Sequence, residues 1–215
     1  KAYAGANDGD TIVLLDDITL TSLIKLQKEI TLDLNNHTVT STAAKAFEVY
    51  VDVTIENGTI VAKERCVDTR SNVRLVLGNV TLEATGSGNT HPLTIGGNDN
   101  GTKVIVSNST ISAGSAGYAI ISFVQTELLV EKSSISGYAG LHLKAGSDNS
   151  VINFTNSTIE SLAHSGEVFG AFVFDSTSNS TITTDDQTVI NSNSYVVLYS
   201  TYNGAVSTNN TVNIA

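Results

Sequence analysis

One block of apolar and polar positions recurs along this chain. Leu32-Asp33-Leu34-Asn35-Asn36-His37-Thr38-Val39 has the form apolar-x-apolar, then Asn-x-Thr/Ser, then apolar. Six further copies close on Ile60, Leu82, Ile111, Ile135, Ile159 and Val189, so the closing residue returns after 21, 22, 29, 24, 24 and 30 positions. A period in the twenties marks a solenoid. The two leading apolar residues are two apart and share one face of a strand. The closing one lies five further on, which an unbroken strand would turn outward, so a bend must separate them. Asn36, Asn57, Asn79, Asn108 and Asn156 stand at that bend, and Asn tolerates the left-handed backbone of a sharp corner. Stacked coil on coil, these side chains are expected to form a ladder of amide hydrogen bonds, each contributing about 1 kcal/mol. The Thr or Ser that follows suits the start of the next strand.

A second apolar strand falls elsewhere in each turn, over 47–51, 93–95, 119–123, 141–143, 172–174 and 195–199. With about three short strands per turn and inward aliphatic side chains, the pattern predicts an all-β fold. It is a single-stranded parallel β-helix of about eight coils over 11–215, with a short Ala-rich N-terminal cap over 1–10. Sustained helical periodicity is absent, and the turns of a β-sandwich would not hold Asn in one register across the copies.

Gly9-Asp10-Thr11-Ile12 and Ile30-Thr31-Leu32-Asp33-Leu34-Asn35-Asn36-His37 sharpen this expectation. The opening 1–41 resembles the right-handed β-helix domains of the pectin-lyase-like superfamily, in particular those of large surface proteins of Gram-positive bacteria. The resemblance implies a right-handed solenoid, in line with the usual chirality of parallel crossovers. It leaves activity open, because the superfamily holds lyases, hydrolases, esterases and non-enzymatic adhesins.

The formal charge of −10, with 11 Lys and Arg against 21 Asp and Glu, argues against nucleic acid and anionic membrane as partners. No apolar run approaches membrane-spanning length, so no membrane insertion is expected. The single cysteine, Cys66, excludes an internal disulfide and reads as a small buried hydrophobe. Abundant Ser, Thr, Asn and Gly with few basic residues suits an exported bacterial protein, secreted or anchored at the cell surface. A chain opening at Lys1 and closing on strand-like Thr211-Val212-Asn213-Ile214-Ala215 reads as a piece of a longer polypeptide with further modules. The Asn-x-Thr/Ser triplets match a glycosylation acceptor pattern and are read as corner residues instead.

Candidate chemistry is sparse. Arg70 and Arg74 lie near Asp68 and Glu64, either a base beside metal ligands or a surface ion pair, and Arg74 is expected to face out. The Asp cluster, Gly-His-Gly and Arg-x-Lys of the superfamily's hydrolases do not occur. His142 and Lys144 alternate on one strand and share its outward face, with Asp175 placed to oppose Lys144 on the next coil. Extra length falls at 85–92, carrying His91, at 96–101, carrying Asp99, and at 161–168 and 176–180; solenoid insertions go outward as loops and often bind ligands. The four histidines lack metal spacing, and no metal or cofactor is expected. Val76, Ile105 and Leu129 form an outward apolar stripe on successive coils, covered by a loop or used as a contact surface. Tyr195, Tyr199 and Tyr202 cluster near the C-terminus, suited to sugar stacking or to packing on a further module.

The binding residues expected are therefore His91, Asp99, His142, Lys144, Asp175 and Tyr199, with no catalytic residue assigned. The leading functional expectation is a non-catalytic cell-surface adhesin that presents loops to a polysaccharide or to a host surface protein or glycan. A polysaccharide-active lyase or hydrolase and a structural stalk are the alternatives.

Overall fold

Parallel pairing between residues one coil apart builds the chain into a solenoid of about eight turns. The computed structural model describes residues 2–88, 90–97, 101–165, 167, 169–200 and 205–215. Each turn contributes three strands. On the first face the inward positions run Ile30, Val53, Leu75, Val104, Leu128, Ile152 and Ile182 in continuous register. On the second they run Val39, Ile60, Leu82, Ile111, Ile135, Ile159 and Ile190. On the third they run Phe47, Val67, Leu93, Ile120, Leu141, Phe172 and Val197. Faces one and two form a single sheet, because the strands Val53–Ala62 and Arg74–Ala84 run unbroken around the corner between them. The third face is a separate sheet of eight strands.

Like stacks on like because every coil places a similar side chain at the same height. Most of these aliphatic residues have no exposed surface, and burying each is worth about 1.5–3 kcal/mol once the next coil closes over it. Cys66 belongs to this core: it is fully buried, and burial pushes its thiol up to about 12. At the N-terminal end the helix Ala2–Gly5 lies over the first coils, with Tyr3 and Ala6 packed on the core. Lys28 ties it down by donating to the carbonyls of Tyr3, Ala4 and Ala6.

The corner between faces one and two shows what the Asn residues do. Asn57, Asn79, Asn108 and Asn156 all have positive φ, between 46° and 58°, as a left-handed bend demands. A continuous amide ladder does not follow. Asn79 donates its side-chain amide to Asn57 at 3.2 Å, but Lys132 occupies the same corner one coil below Asn108, with φ 49°, and breaks the series. Serine hydroxyls carry the stack instead. The Val80 amide donates to Ser109 Oγ, Ser109 to Ser133 Oγ and Ser133 to Ser157 Oγ, each at 3.1 Å. These three hydroxyls also donate to the carbonyls of Ser107, Glu131 and Thr155. All three serines are buried, so each rung satisfies polar groups that water does not reach.

Two corners depart from the seven-fold block. The first is longer by two residues: Ile30 and Leu32, rather than Leu32 and Leu34, pair with Val53 and Ile55, and both Asn35 and Asn36 take positive φ. The last is longer by one. Asp185 accepts the Asn156 amide there, and Ile190 rather than Val189 stacks under Ile159, leaving Val189 exposed.

Lys132 holds a backbone conformation that costs an ordinary L-residue roughly 1–2 kcal/mol. Its ion pair with Glu131 is more than half exposed and adds little. Lys132→Asn should therefore stabilise the protein by about 0.5–1 kcal/mol, while Asn108→Val should destabilise it by about 1–2 kcal/mol. Urea unfolding with an unchanged m-value would check both.

Candidate functional site

On a solenoid face, residues between the inward positions point outward and are normally half-exposed, as Thr54, Val76, Ile105 and Leu129 are on the first face. The third face differs. Its outward column Glu48, Asp68, Thr94, Ile121, His142 and Val173 is buried throughout. Two groups of side chains lie along it, an ionic one around Glu48 and Asp68 and an aromatic one around His142.

The ionic group rests on two consecutive coils with the same order of residues, Lys45-Ala46-Phe47-Glu48 and Arg65-Cys66-Val67-Asp68. The adjacent apolar members, Ala46 with Phe47 and Cys66 with Val67, belong to the buried core, while the charges that flank them meet at Asp68. Asp68 is fully buried; its Oδ2 accepts from Lys45 Nζ at 2.7 Å and Arg65 Nη1 at 2.9 Å, with Arg70 Nη1 at 3.8 Å. Glu48 accepts from Lys45 at 3.0 Å and from the Tyr50 hydroxyl at 3.0 Å. Burial alone would raise the Glu48 carboxyl, but Lys45, Tyr50 and Arg70 outweigh it and hold it below its ordinary value. Lys25 stands 5.8 Å from the Tyr50 ring centre.

This group borders an open cleft of about 530 Å³, lined by Tyr50, Arg65, Asp68, Arg70, Thr94, Gly96, Gly97 and Phe123. The floor is backbone. Thr69 Oγ1 donates to the Gly96 carbonyl at 3.0 Å and accepts its amide at 3.1 Å. Gly97 has φ 144°, and a Cβ there would stand 3.0 Å from the Ser71 nitrogen, so a side chain is excluded. A Cβ on Gly96 would stand 3.8 Å from Asp68 Oδ1. That oxygen has no hydrogen-bond partner among the described residues.

The aromatic group covers His142. Tyr118 stacks on His91 with centroids 5.1 Å apart and on Phe169 at 5.2 Å, and its ring meets His142 edge-on at 4.7 Å. His142 Nε2 stands 3.5 Å and Lys144 Nζ 3.7 Å from Asp175 Oδ2. Burial pushes the His142 imidazole below its ordinary value against the pull of Asp175. Burial, with Arg65 close by, brings His91 down to about 4. Asp175 is itself buried, yet His142, Lys144 and Ser176 keep its carboxyl below the usual range.

The structure thus brings together His91, His142, Lys144 and Asp175 from the residues expected to bind. The two histidines are packed beneath rings instead of lying in a shallow surface site. The 85–92 segment is not an outward loop where it carries His91: Thr90, His91 and Pro92 are buried, and the Pro92 carbonyl accepts the amides of Cys66 and Val67. Tyr199 stacks on Phe174 at 5.2 Å, continuing an inward column with half its surface exposed. Asp99 and Tyr202 lie outside the described residues. Arg70 joins Asp68, whereas Arg74 and Glu64 are exposed, and Asp68 is too deeply enclosed to be a solvated surface pair. Val76, Ile105 and Leu129 do align along the first face, half-buried. No group of three or more His, Cys, Asp or Glu suited to a metal occurs among the described residues, and no helix there is long and apolar enough to cross a membrane.

Sequence reasoning missed Lys45, Glu48, Tyr50, Arg65 and Phe123. The strand Arg65–Thr69 is hidden by its charges, and the repeated cation-apolar-apolar-anion order was the available signal. No family model matches the chain, and no curated protein or solved structure is significantly similar to it.

His91 makes stability depend on acidity. Its folded value of about 4 lies below its ordinary 6.5, so between the two the unfolded chain binds a proton that the folded protein refuses. Stability should fall as pH drops through that window, by up to roughly 3 kcal/mol, with His142 acting in the same direction. His91→Phe keeps the ring and should flatten the fall, as read from urea midpoints at pH 7, 5.5 and 4.5.

Proposed function

We propose that this chain is a non-catalytic binding module of a bacterial surface protein, an adhesin that engages a polysaccharide or host glycan through the cleft on the third face. The observation that carries this reading is the cleft itself. It is an open trough with an exposed aromatic ring, Phe123, a second ring, Tyr50, fixed by its hydroxyl, and polar groups held rigidly by ion pairs. Sugars present apolar ring faces and a rim of hydroxyls, which such a surface complements. The β-solenoid and the opening motif together support a place in the pectin-lyase-like superfamily, and the acidic, Lys- and Arg-poor composition supports an extracellular location.

The state of the titratable groups favours binding over turnover. General acid–base catalysis works best with a group whose pKa lies near the working pH. Glu48 and Asp175 are held below the usual carboxylate range, His91 is at about 4 and His142 is lowered. These groups keep one charge state near neutrality, which suits a fixed recognition surface. A bare stalk, the simplest alternative for a solenoid, has no use for a buried ionic cluster beside an open trough.

A glycan array probed with the 215-residue chain, with and without Ca²⁺, should show saturable binding to at least one saccharide class. Phe123→Ala should weaken that binding about tenfold, and bound oligosaccharides should be recovered at their original length. Shortened products would instead make the protein an enzyme, and a silent array would replace the glycan reading with a protein receptor or a stalk.

A further inference from the structure

We infer that the C-terminal end of the solenoid is an interface between two copies of this chain, which meet end to end about a two-fold axis. The inference is independent of the glycan-binding reading above.

The three columns of inward residues finish on Val212, Ile190 and Val197. One turn earlier Ile182, Ile159 and Phe172 have no exposed surface, whereas these three are only partly buried, because no described turn lies beyond them. Their strands, Val189–Ser192, Tyr195–Ser200 and Thr211–Ile214, each pair with a single neighbour among the described residues. Six of the ten exposed large hydrophobic side chains among the described residues belong to this one turn: Val189, Tyr195, Val196, Tyr199, Val206 and Ile214. Open strand edges are ordinarily protected by charge, by proline or by a cover. The N-terminal end has its cover in the helix Ala2–Gly5, held by Lys28, with Asp8, Asp10, Asp16 and Asp17 exposed on the first turn. The C-terminal turn lacks the other two devices as well: residues 187–215 contain no Asp, Glu, Lys, Arg, His or Pro.

Charge selects the occupant. Two copies with a formal charge of −10 each repel over most of their surface, and the uncharged end is where they can touch without burying a carboxylate. Asp185 and Asp186 stand outside it, at the corner that leads into the turn. A head-to-tail contact would press this end onto the N-terminal helix and the aspartates beside it, desolvating carboxylates and leaving the strand edges unpaired. An end-to-end contact sets apolar side chains on apolar side chains and edge on edge, the self-complementarity that a two-fold interface requires. The longest of the three strands, Tyr195–Ser200, then lies antiparallel to its own copy, with the axis normal to the third face. Tyr195 and Tyr199 supply the large rings that interfaces favour, and the turn has the depletion of charge found at interface cores. The pair is closed, since each copy has one uncovered end, and both third-face clefts open to the same side.

The test is sedimentation equilibrium of the 215-residue chain from micromolar to near-millimolar concentration. The mass should rise from 22.5 kDa to twice that value and stop, and association should tighten as salt screens the repulsion between copies. Val196→Lys sets like charges on either side of the junction and should weaken association about tenfold or more. Val206→Lys, at a position 69% exposed, should act in the same direction without touching the core. Leu15→Lys, 87% exposed on the first turn, should leave association unchanged. Circular dichroism and the thermal midpoint verify the fold of each variant. A mass of 22.5 kDa at every concentration would overturn the inference and leave this end to a further turn of the same polypeptide or to another partner. Association that survives both Val196→Lys and Val206→Lys would place the contact elsewhere, and growth beyond twice the mass would make it head-to-tail; either result overturns the closed pair.

Discussion

A strand of three to six residues cannot bury its own apolar side, and every other feature of this protein follows from the need for a neighbour to do it. The inward residue of one coil is covered by the equivalent residue of the next, so Val67 needs Phe47 and Leu93. This dependence fixes register, because a slip of one position would turn every inward side chain out. It also sets the cost of changing coil length. Corners absorb the variation: two extra residues before Val39 and one before Ile190 leave the columns on either side intact.

The corners are polar for the same reason. Turning a strand sharply exposes amides to the interior of the stack, and a serine one coil away accepts them at a distance that repeats from rung to rung. Asn supplies the conformation and Ser supplies the bond. The two jobs are separable, which is how Lys132 stands at a corner while the serine beside it keeps the rung.

Much of the fold was legible because the solenoid repeats its instructions. The Asn positions and the apolar pairs at 75 and 77, 104 and 106, and 128 and 130 align in the structure as they do in the sequence. The site was less legible. His142, Lys144 and Asp175 follow from alternation and coil spacing, so their convergence was readable. The aromatic cover was not, because Phe169 arrives from the longest coil and no local pattern says where a loop returns. The ionic group was obscured by a habit of inference: charged residues are taken for solvent-facing ones, and Arg65–Thr69 carries an Arg and an Asp in five residues. Its strand character shows only beside Lys45–Val49, one coil earlier, where the same order of charges recurs.

The cleft draws Tyr50, Arg70, Gly96 and Phe123 from four successive turns, one rung each. In a molecule that grows by adding turns, such a site behaves like a word spelled across adjacent pages. A turn gained or lost elsewhere leaves it readable. A turn inserted between Arg70 and Phe123 would move the ring about 4.8 Å further from the cation, without disturbing one core contact outside the insertion. Duplicating a coil would therefore change the geometry of such a cleft while every residue that lines it stayed the same.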